Sequence, residues 1–373
     1  MSVPATVASG SSDTRSRGLW SLAWNRLRRD RLGVGSALVV VLFLIVTLAS
    51  SAGFIAGDWT DEIGVSYAPP SFLGKPPLES RQGATVPADG ARRTEDLGVV
   101  DPIGEQMALA LGREPGHSED LGVADPIGAE LAEVRSRLRA GSVGASRAES
   151  LWLGADKWGR DVGLKAIKGT ETSLLVGLAS ALVAAFLGTL LGAEAGYRGG
   201  KLDDFLNWIY SVLTSMPYLL LILAIAAVLG RKGTLTVILI LGLTGWTGIF
   251  RLVRAEFLKH RVREYVLAAD AIGASDTRRM FLHILPNVSH VVLVQLSLHV
   301  VLFIKSEVIL SFLGFGVGVD TVSWGSMLNE AQTELLLGQW WQFAAATIAM
   351  GVLVTAFSLF TDALRDALDP TLR

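Results

Sequence analysis

The side chains best suited to hold a transition metal or move a proton near neutral pH are five histidines, His117, His260, His283, His290 and His299. Their spacing with carboxylates forms no metal-ligand pattern. The chain has no cysteine, which excludes disulfides, thiolate nucleophiles and Cys-ligated zinc or iron–sulfur centres. It has no glycine-rich phosphate loop of the Walker A kind, so an ATP-driven activity would need a separate subunit to hydrolyse the nucleotide. The pattern therefore predicts no catalytic residue, no metal and no cofactor.

Residues 263–287, REYVLAADAIGASDTRRMFLHILPN, suggest mechanical rather than catalytic chemistry. Residues 265–272 read as a short helix, Gly273 as its C-terminal break, and Ser275 as the N-cap of a second short helix running to His283. Ala268, Ala269 and Ala271 keep the first helix slim enough to enter a groove on another protein, and the flanking arginines suit an acidic rim. Pro286 marks the start of the following apolar run. Lys305 and Glu307 lie near the outer end of that run, two apart and on different helix faces. Glu307 is a candidate pathway residue, because charge inside a membrane is costly. Asp156, Gly159, Arg160 and Asp161 in the string WLGADKWGRDV read as a structured hairpin at the membrane surface. Trp152 and Trp158 would sit there at headgroup level and Arg160 beside a local aspartate.

The elements that must position these groups are bilayer-length apolar runs. The chain has 373 residues, 50% hydrophobic and 18% charged, with a net charge of −2 and a mean hydropathy of +0.45. The charges fall almost wholly between uncharged runs at 32–57, 174–193, 205–230, 233–250, 284–304 and 335–361. A hydrocarbon core of about 30 Å needs roughly 20 helical residues, so six transmembrane helices are expected, the fourth being the shortest. Gly177, Gly188 and Gly192 in the second run permit close helix contact and Pro217 supplies a bend in the third; all read as packing features. Arg15, Arg17, Arg26, Arg28, Arg29 and Arg31 precede the first run and place the N-terminus in the cytoplasm. Six crossings then put the arginine-rich segment 251–283 and the C-terminus inside as well. Arg231 and Lys232, in a short outer turn, run against the charge rule.

The expected organisation is a basic tail with helix 1 (1–57), a large and partly irregular extracytoplasmic insertion (58–150), and a core of helices 2–6 (151–373). The insertion carries a duplication, EDLGVVDPIGEQ at 95–106 returning as EDLGVADPIGAE at 119–130. A short helix is expected over 129–140. With no basic stripe on a near-neutral chain, nucleic acid is not an expected partner.

The segment 263–287 resembles the EAA loop of ABC importer permeases, the coupling helix that docks on the ATPase in that family. Leu267, Ala268, Ala269, Gly273, Leu285 and Pro286 match its pattern. Leu267 stands where the family has its leading Glu, and Glu264 lies three residues earlier. WLGADKWGRDV and LSFLGFGV (310–317) resemble two further strings of the peptide and nickel permease group, in its C-type subunit; Ala155 replaces a Thr of the first. The resemblance implies an all-α membrane protein of the type I importer kind and a non-catalytic permease subunit, in peptide uptake above all. Its coupling residues would be Glu264, Ala268, Ala269, Gly273, Ala274, Leu285 and Pro286. Its implied partners are a second permease in a heterodimer, two ATPase subunits, an external substrate-binding protein and the lipid bilayer of a bacterial inner membrane. Two other classes would leave different marks in the sequence. An ion-coupled secondary transporter would need a midplane ionisable relay and paired broken helices, and a membrane-embedded enzyme a boundary cluster of His, Asp or Glu; neither pattern is visible.

Overall fold

A computed structural model describes residues 25–73, 147–318 and 320–368. The duplication, the helix expected over 129–140 and most of the insertion lie outside the described residues. Everything below belongs to the compact unit formed by Met1–Leu73 and Glu149–Arg373.

Long apolar runs that close their own backbone hydrogen bonds are the stable solution in lipid, and the described chain is helical. Helix α1 spans Arg31–Ser51, with the Asp30 side chain accepting from the Leu32 N–H at 3.0 Å. It is apolar nearly all round, and Leu32, Leu38, Leu42, Ile45 and Leu48 stay exposed on it. Helix α2, Val162–Arg198, has 37 residues, roughly 55 Å of helix against a core of about 30 Å. It projects beyond the bilayer. Next come α3 (Gly200–Thr214) and α4 (Tyr218–Leu229), meeting at 88°. Helix α5, Thr234–His260, is interrupted at Gly245. A short α6 (Glu264–Ala271) leads into α7, Asp276–Phe312. An amphipathic α8 (Trp324–Leu336) and a final α9 (Trp341–Leu368) complete the unit. Among the described residues five helices are long and apolar enough to cross a membrane, six if the bent α3–α4 pair counts as one span.

Four boundaries differ from the sequence reading. The third run, expected as one crossing with a bend at Pro217, is split there into two helices, with Pro217 in extended geometry between them and without an N–H with which to continue α3. Helix α2 begins twelve residues before Leu174, because the charges of that first stretch are paired. The sixth run starts at Trp341, since a turn through Gly338 ends α8 after Leu336. Finally, no helix ends at His283. A π-helical turn over Arg279–Ile284 carries the chain straight into α7. There the Leu285 N–H donates to Met280 O, five residues back, and the wider turn accommodates Pro286 inside a continuous helix.

Helix α2 is the central post, touching α1, α5, α7, α8 and α9. A stripe of small residues lets α5 approach. A Cβ on Gly188, Gly192 or Gly196 would lie 2.7, 2.8 and 2.5 Å from Ile249 Cβ, Phe250 O and Arg254 O. Spacing of four keeps these positions on one face, the close-contact geometry favoured where no hydrophobic force drives helices together in lipid. Gly192→Leu should therefore leave little monodisperse protein after detergent extraction, whereas Gly351→Leu, with open space around its Cβ, should extract like the parent. Size-exclusion profiles of the two variants check this.

Candidate functional site

Two regions hold the candidate residues, one at each end of α2. At the end the charge pattern assigns to the cytoplasm, α6 and the start of α7 form an elbow. The Gly273 N–H donates to Asp270 O at 2.8 Å and the Ala274 N–H to Ala269 O at 3.0 Å, the paired closure of a helix C-terminus that wants a left-handed residue. Gly273 supplies it at φ +84°. A Cβ there would meet nothing within 4 Å, so conformation, not space, calls for glycine. Ser275 is extended and precedes the next helix as expected, but its side chain makes no capping bond.

Arg279 locks the elbow. Its guanidinium reaches Asp270 Oδ1 and Asp276 Oδ1 at 2.5 Å each and lies 5.8 Å from the Tyr197 ring centroid at the end of α2. Arg261 Nη1 donates to Tyr197 O at 3.3 Å, and Tyr265 O–H meets His260 Nδ1 at 2.8 Å. Burial raises the Tyr265 phenol above its ordinary value, with an opposing contribution from Asn287, so it stays a neutral hydroxyl. The elbow is thus tied to the transmembrane post at several points while presenting an apolar crest. Ile272 is 85% and Leu267 55% exposed, beside exposed Glu264, Ala268 and Ala271. Ala269 faces the other way, buried with Val266. Ala274 and Leu285 are half-buried and Pro286 is exposed. The crest therefore combines Leu267, Ala268, Ala271 and Ile272. Large apolar side chains held out on a rigid turn need a cover.

The other end is organised by Asp156. Its Oδ1 accepts from the Trp158 and Arg160 N–H groups at 2.8 and 3.0 Å, and Oδ2 accepts from Lys165 Nζ at 2.8 Å. Lys165 is itself buried in the first turns of α2 and reaches Glu330 of α8 at 2.5 Å. Asp161 caps α2 through the Gly163 and Leu164 N–H groups. Gly159, at φ +84°, backs onto residue 64 so closely that a Cβ would lie 2.1 Å from Gly64 O. Gly64 N–H to Gly159 O (2.8 Å), Ala155 N–H to Ala68 O (2.8 Å) and Trp341 Nε1–H to Ala155 O (2.7 Å) join this turn to the segment after α1 and to α9. The string is a clasp between four parts of the chain.

The hairpin expected there is present, with Trp152 and Trp158 exposed, but its ion pair is a different one. Among the described residues no carboxylate pairs with the Arg160 guanidinium, which lies 5.5 Å from the Trp59 ring centroid; Asp156 takes Lys165 instead. Lys165 went unnoticed in the sequence because its second partner is remote in the chain. Close by, burial pushes the Glu334 carboxyl up to about 7, with Lys165 opposing and Glu330 and Asp156 adding to the rise. The folded state thus holds this proton more tightly than the unfolded one. Stability carried by the protonated form is full below the ordinary value of 4.5 and is lost as pH rises towards about 7.

Glu307 lies inside the bundle with no exposed surface. It accepts from Ser173 Oγ of α2 at 2.8 Å and Ser311 Oγ at 2.7 Å. Ser173 Oγ also receives the Trp324 N–H and Ser311 Oγ the Val317 N–H, each at 3.3 Å. Its carboxyl group thereby links α2 and α7 to the stretches that hold Val317 and Trp324. Lys305, on the other face, is exposed.

One region ties parts of the bundle together and the other presents an apolar crest. Known proteins resemble this chain over two stretches. Residues 18–70 match the N-terminal TM domain of oligopeptide transport permease C. The dipeptide transport system permease protein DppC of Bacillus subtilis (strain 168) is 38% identical over 222 residues, which are 60% of this chain and 69% of that protein. The oligopeptide transport system permease protein OppC of the same organism is 36% identical over 222 residues, 60% and 72% of the two chains. The glutathione transport system permease protein GsiD of Pectobacterium atrosepticum is 36% identical over the same length, 60% and 73%. The match that spans α2 to the C-terminus, residues 173–373 and so more than half of the sequence, is to the binding-protein-dependent transport system inner membrane components, and it is to this family of multi-pass permeases that the chain belongs.

Proposed function

We propose that the chain is the C-type permease subunit of an ABC importer that brings di- and oligopeptides into a bacterial cell. In this reading it sits in the inner membrane with both termini in the cytoplasm and residues 58–150 outside. It pairs with a second permease, receives peptide from an external binding protein, and is driven by two separate ATPase subunits. Hydrolysis belongs to those subunits. The elbow is the coupling element, through Glu264, Ala268, Gly273, Ala274, Leu285 and Pro286, with Ala269 supporting it from beneath.

The observation that carries the reading is the crest of Leu267 and Ile272, held in the open by Arg279 and tied to the end of α2. A cleft on an ATPase that covers this crest grips a lever fixed to the central post. Movement of the two ATPases then becomes rotation of the bundle between outward-open and inward-open arrangements. The peptide assignment follows the substrates in the names of the similar permeases.

Because the chain has no cysteine, Leu267→Cys introduces a single label site. In cells with the whole transporter, an impermeant maleimide should label it only in inside-out vesicles, and added ATPase subunits should protect it. Trialanine uptake should vanish when the gene is deleted. Labelling in intact cells, or uptake unaffected by deletion, would overturn the proposal.

A further inference from the structure

At the clasped end the molecule has a cavity of about 410 Å³, within the range of about 300–1,000 Å³ typical of small-ligand sites. Its walls come from the segment after α1 (Trp59), the Asp156 turn (Lys157, Trp158, Arg160), the turn before α5 (Lys232) and α8 (Glu330), closed by the glycine-rich loop after α7. These walls are fixed. The Gly233 N–H donates to Gly316 O at 3.2 Å, holding the Lys232 turn against the loop. Asp156 and Lys165 anchor the opposite side.

The charges around the cavity are unbalanced. Lys165 is neutralised by Asp156 and Glu330, but among the described residues none of Lys157, Arg160 and Lys232 pairs with a carboxylate. Arg160 Nε is buried without a hydrogen-bond partner. Lys157 Nζ and the Arg160 guanidinium each lie 5.5 Å from a tryptophan ring centroid, Trp158 and Trp59 respectively, which holds both cations in place without discharging them. A concave wall with three uncompensated cations draws anions, more so at low salt. Lys232, against the charge rule in an outer turn, also gains a reason: a cation is wanted at this mouth. Among the described residues that line the cavity, Glu330, its side chain still 31% exposed, is the one anionic group.

We infer that this cavity receives the transported peptide on the outer face of the permease, taking its terminal carboxylate on Lys157, Arg160 and Lys232, with its ammonium end towards Glu330. The inference rests on the peptide reading above and adds a substrate contact within the permease itself. The aromatic walls tolerate varied side chains, while the charged groups read only the two ends that all peptides share.

The test uses the full chain in lipid nanodiscs with trialanine and its C-terminal amide, observed by saturation-transfer NMR. Trialanine should give contact signals that are about tenfold weaker for the amide and for Lys157→Ala/Lys232→Ala, as expected for loss of charge-assisted bonds. Arg231→Ala, in the same turn but outside the cavity lining, should bind as the parent does. In cells, the double variant should raise the KM for trialanine uptake by a similar factor with the maximal rate kept. Equal signals from acid and amide, no signal from either, or a variant that binds normally would overturn the inference. So would a variant with unchanged trialanine signals but weakened capture of the external binding protein, which would make the cavity a socket for an acidic side chain of that protein. Failure of the peptide reading is distinguishable, because trialanine uptake would then be unaffected by deletion of the gene.

Discussion

Gly273→Arg should abolish transport while leaving the protein inserted and folded. The residue sits at φ +84°, where a side chain costs about 1–2 kcal/mol, and a Cβ there meets nothing within 4 Å. That cost falls on one exposed turn and does not unfold the bundle. The long cation, however, projects beside Leu267 and Ile272 from the crest that the ATPase must cover. A tenfold loss of docking corresponds to about 1.4 kcal/mol, less than an uncompensated charge costs in an apolar contact. Trialanine uptake should therefore fall by more than about tenfold, and the ATPase subunits should no longer co-purify. Gly273→Trp should behave likewise. Gly273→Asn should retain most uptake, because asparagine is the residue that next best tolerates a left-handed cap. Co-purification and uptake at wild-type levels in the Arg variant would remove the elbow from the coupling path.

This elbow was legible in the sequence because its determinants are local: a helix-forming run, one glycine, then a new start. What the sequence hid depended on partners far along the chain. Lys165, Lys168 and Glu171 made the start of α2 look like a polar loop, yet Lys165 is neutralised by Asp156 and by Glu330. Lys168 pairs with Glu171, which also accepts from Ser50 Oγ of α1 at 2.6 Å. Glu307 shows the same division: Ser311, one turn on, was in plain view, but Ser173 comes from another helix. At Pro217 the sequence showed a bend but not its size. Ser211, Thr214 and Ser215 satisfy their hydroxyls on carbonyls of their own helix, so a run that bends by 88° has the uncharged composition of one that crosses straight. Composition reports what lipid will accept and says little about angle.

The second large effect concerns the clasp, and there the order of three variants matters more than any one of them. Asp156→Ala removes both the carboxylate that holds two backbone N–H groups and the fully buried counter-ion of a lysine with 2% side-chain exposure, leaving Lys165 only the partly exposed Glu330. Breaking one side of a buried pair costs about 3–5 kcal/mol, so this variant should lose folded protein on extraction. Lys165→Met should be milder, since Asp156 keeps its two N–H donors and Glu330 can turn to solvent. Asp156→Asn/Lys165→Met should be the most stable of the three, because the amide oxygen still accepts the turn's N–H groups and no ion is left buried. Thermal unfolding in detergent should rank them in that order. If Asp156→Ala instead melts with the parent, the clasp contributes nothing to cohesion, and its charges must then be explained by what they bind. If the double variant is as weak as Asp156→Ala, the ion pair itself, rather than relief from unpaired charge, joins the turn to α2 and α8.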